Sequence, residues 1–143
     1  MNPEVEEVLR AAGWARDRRV DVEPWRRMFA EGGLEMHPAA EEFLAEFGGL
    51  SVNVSGSGIT KAKEPFEFDP EQCLSEEDRF LEWGVEIGRQ LYPLGLLDQG
   101  RFFLGIDERT EIYLVETWVA TFGPAQEALE GLILGVMPTV VAE

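Results

Sequence analysis

The pair Gly48-Gly49 constrains this chain more than any other feature. It closes the stretch Pro38-Ala-Ala-Glu-Glu-Phe-Leu-Ala-Glu-Phe47 and opens Leu50-Ser-Val-Asn-Val54. Pro38 suits the first turn of a helix, where its missing N–H would lack a partner in any case. Phe43, Leu44 and Phe47 then share one helical face, and a residue tolerant of positive φ is the usual exit from such a helix. Past the glycines, Leu50, Val52 and Val54 alternate with Ser51 and Asn53, the period of a half-buried strand. The chain turns a sharp corner from helix to strand, so its fold contains both.

Helices precede that corner and flank the strands beyond it. Val5, Val8, Leu9 and Ala12 make the stripe of a first helix, stopped by Gly13 and followed by Trp14. Val22, Trp25, Met28 and Phe29 mark a short second helix, stopped by Gly32-Gly33. Ser55-Gly-Ser-Gly58 reads as a turn and the polar stretch 60–64 as an exposed connection. Phe66-Glu-Phe68 alternates like a strand up to the turn signal Asp69-Pro70. Ser75, three residues before Asp78, imitates a capping box. It heads a longer helix with Phe80, Trp83, Ile87 and Leu91 as buried stripe, broken at Tyr92-Pro-Leu-Gly95. Gly84 and Gly88 cost that helix about 1 kcal/mol each relative to alanine, which implies close packing against a neighbour. Residues 102–106 and 112–117 read as antiparallel strands. Pro124 starts a last helix with Ala128, Leu129, Leu132 and Ile133, ended by Gly135. With no repeat and no linker, one α+β domain over residues 1–143 is the expectation.

Charge narrows the possible partners. Twelve basic residues against 28 acidic ones give a net charge of −16, which disfavours nucleic acid, since phosphate contacts require a basic face. The same surplus steers encounter with a basic protein. Acids concentrate between Glu64 and Glu86, where Arg79 is the only basic residue. Apolar runs such as 132–137 are too short to span a membrane, and the acidic start Met1-Asn-Pro-Glu-Val-Glu-Glu has no secretory pattern. Cys73 is the only cysteine, which excludes an internal disulfide and suits a reducing cytoplasm.

Catalytic constellations are missing. One His37 and one Cys73 cannot assemble a zinc site, and His37 before Pro38 reads as a helix N-terminal residue. Gly58-Ile-Thr-Lys61 lacks phosphate-loop spacing, and no nucleophile elbow is present. Carboxylates remain: Asp69, Glu71, Glu76, Glu77 and Asp78, with Asp107 and Glu108 in a later turn. They could hold Mg²⁺ or act as a glycosidase pair, but acids at a helix start also favour its dipole without further purpose. The expectation is no catalytic residue, no metal and no cofactor. Trp25 and Trp83 fit helix stripes, while Trp118 follows a strand and its role stays open.

Eight pieces in order carry a family resemblance. They are Ala12-Gly-Trp14, Trp25, Phe43-Leu-x-x-Phe-Gly-Gly-Leu50, Phe68-Asp-Pro70, Asp78-Arg-Phe80, Leu91-Tyr-Pro-Leu-Gly95, Leu104-Gly-Ile-Asp107 and Ala120-x-Phe-Gly123. This succession resembles the third subgroup of the bacterial SUKH superfamily and spans nearly the whole chain. The resemblance implies an α+β fold with a central, mostly antiparallel sheet flanked by N-terminal, middle and C-terminal helices. It also implies an immunity protein, without enzymatic activity, that neutralises a cognate polymorphic toxin, often a nuclease or deaminase. The alternative is a general regulatory protein-binding module. Two departures stand out: the hairpin turn Glu108-Arg-Thr-Glu111 lacks the glycine of relatives, and Leu96-Leu97 adds apolar surface. The expected contact surface for a basic toxin is Asp69, Glu71, Glu76, Glu77 and Asp78 with Asp107 and Glu108, of which Asp69 and Asp107 could instead cap turns. Leu96, Leu97 or the tail 136–142 could support a weak homodimer of an otherwise monomeric protein.

Overall fold

At the corner after α3 (Pro38–Phe47), the two glycines answer different needs. Gly48 is extended (φ −61°, ψ 139°), and a Cβ there would lie 2.5 Å from the Leu44 carbonyl oxygen and 2.6 Å from the Trp25 ring. The positive φ expected at the helix end falls instead on Gly49, at +88°. Arg18 reaches across, Nη1 donating to Glu46 O (2.6 Å) and Nη2 to Gly48 O (2.8 Å), and so satisfies carbonyls the helix leaves free. This computed structural model describes residues 1–143.

Beyond the corner the chain builds one seven-stranded sheet whose order follows the sequence, every neighbour antiparallel. The strands are β1 (Ser51–Val52), β2 (Phe66–Glu67), β3 (Tyr92–Leu97), β4 (Phe102–Ile106), β5 (Glu111–Val115), β6 (Val119–Pro124) and β7 (Thr139–Ala142). Helices α1 (Pro3–Ala11) and α2 (Glu23–Ala30) precede α3; α4 (Glu77–Ile87) interrupts the sheet before β3, and α5 (Ala125–Leu134) before β7. The register places Leu104, Ile106, Ile112, Leu114 and Ala120 on one face, and Phe103, Gly105 and Tyr113 on the other. Against the second face lies α4, with Phe80 edge-on to Phe103 at 6.3 Å and Trp83 Nε1 donating to Glu116 O. Gly105 gives Phe80 its space, since a Cβ there would stand 3.0 Å from that ring. Against the first face lies α5, burying Ala128, Leu129, Leu132 and Ile133. The core runs continuously from Val5 to Ile133. The expected α+β architecture with a central antiparallel sheet is the observed one.

Several local expectations fail for identifiable reasons. The segment that reads as a helix breaker at Tyr92-Pro-Leu-Gly95 is strand β3. Pro93 adjoins a register shift, where the missing N–H is tolerated. At Gly95 a Cβ would meet Glu67 O at 1.9 Å, so only glycine lets β2 approach. Leu97 is consequently 1% exposed: it belongs to the core and offers no homodimer surface, and Leu96 is half-buried. The α4 stripe ends with Ile87, because Gly88 takes a left-handed C-cap (φ 69°); Leu91 is buried but lies outside the helix. Ser75 does not cap α4. It sits at φ 77°, and the Glu77 carboxylate accepts from its N–H. Stretch 60–64 is no free connection, since Ile59, Thr60 and Lys61 donate backbone bonds to the carbonyls of Leu134 and Gly135 that end α5. Strands β6 and β7 lie in stretches to which the sequence reading assigns no element.

Gly95→Ala is expected to lose about 3 kcal/mol or more of stability, since backbone rather than a flexible side chain blocks the new methyl. Urea unfolding followed by tryptophan fluorescence measures it.

Candidate functional site

Interior polar groups are few and fully committed. His37 and Asp107 are the only buried polar or charged side chains. His37 caps α3 through Nδ1, which accepts from Ala40 N (3.1 Å), while Nε2 donates to Gln90 O (2.9 Å). Asp107, 0% exposed, organises the β4–β5 hairpin: Oδ1 accepts from the N–H groups of Arg109 and Glu111, and Oδ2 from the Tyr113 hydroxyl (2.8 Å). Arg89 Nε stands 3.4 Å from Oδ2. This carboxylate stabilises a turn in which Thr110 takes φ 70°, the same hairpin turn in which relatives were expected to carry a glycine. Burial, followed by the Asp107 hydrogen bond, pushes the Tyr113 hydroxyl pKa up. Cys73 is buried with Sγ 3.5 Å from Gly95 O, burial pushes its thiol pKa up, and it shares no bond with His37. Every buried side-chain nitrogen and oxygen has a hydrogen-bond partner. No group of three or more His, Cys, Asp or Glu side chains is placed to hold a metal ion.

The outer face of α4 has a different character. Asp78, Leu81, Glu82 and Val85 recur at the spacing of one helical face, opposite the residues that meet the sheet. Val85 is 85% exposed and Leu81 39%, with Leu74 exposed just upstream. Beside this face runs a groove of about 580 Å³ between α4 and the chain following α2. Leu34, Phe80, Leu81 and Val85 line it, and Glu35 and Glu108 stand among its walls. At the start of α4, Glu77 packs against Gly32, where a Cβ would stand 2.7 Å from Glu77 Cγ. Its one cation, Arg89, is held by Asp107. Burial raises the Glu108 pKa, but the Gln90 N–H, its own N–H and the charges of Arg89 and Arg109 outweigh it, leaving this carboxyl below its ordinary range.

The seven acids singled out in the sequence therefore divide. Asp107 is an internal turn residue, which removes it from any contact surface. Asp69 caps the 3₁₀ turn Pro70–Cys73, accepting from Glu71 N. Glu76 holds Arg79 at 2.7 Å, and Glu77 is tied to Ser75 N. Glu71, Asp78 and Glu108 are exposed, Asp78 on the α4 outer face and Glu108 on the groove. Sequence reasoning missed Leu81, Val85 and Glu35. The first two were legible as apolar residues on the wrong side of the Phe80–Trp83–Ile87 stripe; Glu35 carries no local signal, because tertiary folding alone brings it there.

A family model described as "SUKH-3 immunity protein" matches residues 1–135. Comparison with curated proteins and with solved structures finds no match.

Thr110→Gly is expected to raise stability by about 1 kcal/mol by removing a β-branched residue from positive φ, measured by urea unfolding. Cys73 is expected to resist a disulfide reagent such as DTNB in the native protein and to react at once in urea, because only exposed thiolates attack.

Proposed function

Because the chain belongs to the SUKH-3 immunity protein family, we propose that it binds a cognate polymorphic toxin of the nuclease or deaminase type and neutralises it by contact alone. The family match over residues 1–135 carries this reading. Its physical support is a surface with strong acidic bias and few cations left free. A toxin that acts on nucleic acid needs a basic cleft to gather phosphates, and a protein of charge −16 is its electrostatic complement. Complementary charge raises the encounter rate, while a few desolvated anchors set the lifetime of the complex.

The contact surface we assign is the outer face of α4 with its adjoining groove. Asp78, Glu82, Glu35 and Glu108 supply the field, with Glu71 nearby in sequence. Leu81 and Val85 are the apolar anchors, since large exposed aliphatic side chains grouped on one face mark an interaction site. Glu76 and Glu77 hold α4 in place beneath them. No step of this mechanism needs a bond broken, a metal or a cofactor. The protein acts as a monomer in the cytoplasm of the cell that makes the toxin or of its kin.

A pull-down with the tagged protein from its own host, read by mass spectrometry at low and high salt, tests the reading. Recovery of a toxin-domain polypeptide at low salt, lost at high salt, supports it. Recovery of housekeeping proteins alone replaces it with a regulatory binding module. Once the toxin is in hand, Asp78→Lys is expected to slow association about tenfold at low salt and to converge on the parent protein at high salt. Val85→Lys is expected to speed dissociation, and stopped-flow kinetics separate the two effects.

A further inference from the structure

The sheet ends in a strand with no further strand beside it. Strand β7, Thr139-Val-Val-Ala142, pairs only with β6 and lies outside residues 1–135, which the family model matches. Edge strands expose N–H and C=O groups that template a further strand, so soluble proteins blunt them with charge, proline or short length. The opposite edge obeys this, since β1 has two residues. Strand β7 has four, none of them charged, and Val140 and Val141 are 50% and 47% exposed.

Three hollows adjoin this edge. The first, of about 400 Å³, is apolar: Val140 and Met137 face Leu97, Phe102 and Trp118, the last two with their rings stacked at 5.6 Å. Its only charged side chains, Lys61 and Glu64, pair with each other. The second places Glu127 and Glu130 beside Met137 and Thr139. The third places Glu86, Glu111 and Glu143 beside Val141 and Ala142, its sole cation being Arg89, engaged by Asp107. A strand paired on one side only thus runs along an apolar pocket between two acidic flanks.

We propose that β7 is an acceptor for an extended, basic segment of another protein, which adds to the sheet as an eighth strand. Main-chain hydrogen bonds to the open edge would supply affinity. One apolar side chain seated beside Trp118 would supply specificity, and lysines or arginines on either side of it would meet the flanking carboxylates. A second copy of this chain fits poorly. It would bring the same carboxylates and the same −16 charge, and the four residues of each β7 fall far short of the roughly 20–30 a side of a stable interface. This surface is distinct from the α4 outer face, so the inference holds whether or not the partner is a toxin.

The test uses the full chain and a short fluorescein-labelled peptide with a phenylalanine-centred apolar core flanked by lysines. Anisotropy at low salt follows binding, and amide exchange by NMR locates it. The lysine-flanked peptide is expected to bind about tenfold more tightly than a glutamate-flanked one, and to slow exchange within residues 139–142. Val140→Lys, which blunts the edge, is expected to weaken it about tenfold, whereas Leu81→Lys on α4 leaves it unchanged. Equal binding of both peptides, indifference to Val140→Lys, protection elsewhere in the chain, or no binding would each overturn the proposal. So would dimerisation through β7 in sedimentation equilibrium without peptide.

Discussion

Arg18 holds together the point from which the rest of the structure is hung. Its guanidinium donates to the carbonyls of Glu46 and Gly48 at the end of α3, two bonds in the fixed fork geometry that suits arginine to such a place. With the helix end fixed, Gly48 lies under the Trp25 ring, and the Gly49 N–H donates to Phe68 O at 2.7 Å. Phe68 N returns a bond to Leu50 O, which joins the corner to β1 and β2. The Tyr92 hydroxyl donates to Trp25 O at 3.4 Å and brings β3 into the same assembly. One ion on a helix end thus couples α2 and α3 to three strands, and loosening it would free the whole front of the sheet.

The interior spends its polarity on backbone. His37 serves the N-terminus of α3 and the chain leading into β3; Asp107 serves one hairpin and a tyrosine. Neither has capacity left for a substrate, and the lone thiol is sealed under Gly95. On the outside the arrangement is asymmetric. Cations are mostly engaged: Arg26 with Glu23 and Glu41, Arg79 with Glu76 and Glu116, Arg89 with Asp107. The acids outnumber them, and some of the surplus lies beside exposed aliphatic side chains on α4 and β7.

How much of this was legible in the sequence depended on how local the cause was. The five helices followed from apolar spacing, glycine stops and proline starts, signals contained within ten or so residues. Strands β1 and β2 followed from alternation, and β4 and β5 from two short apolar runs around a polar turn. Strand β3 did not, because Pro93 and Gly95 read as breakers when seen alone; their tolerance comes from a register shift and from the close approach of neighbouring β2, both tertiary. Strand β7 was hidden for the same reason, since an edge exists only once β6 is placed beside it. Among the acids, residue type and neighbourhood could not separate Asp107, wholly enclosed, from Glu108, open to solvent one position later. The fold of the turn decides that difference, turning the Asp107 carboxylate in onto the N–H groups of Arg109 and Glu111.

The strict agreement between strand order and chain order has a kinetic side. Each strand pairs with the next one along the chain, across a turn, a loop or an intervening helical segment, so the sheet needs none of the long crossovers of a Greek key. Low sequence separation between contacts is the topology that folds fast, because little chain entropy is lost before pairing is rewarded. The sheet can grow by adding successive hairpins, with α4 and α5 docking as the strands beside them form. A chain built this way pairs most of its strands from contacts near in sequence, before its distant parts have to meet.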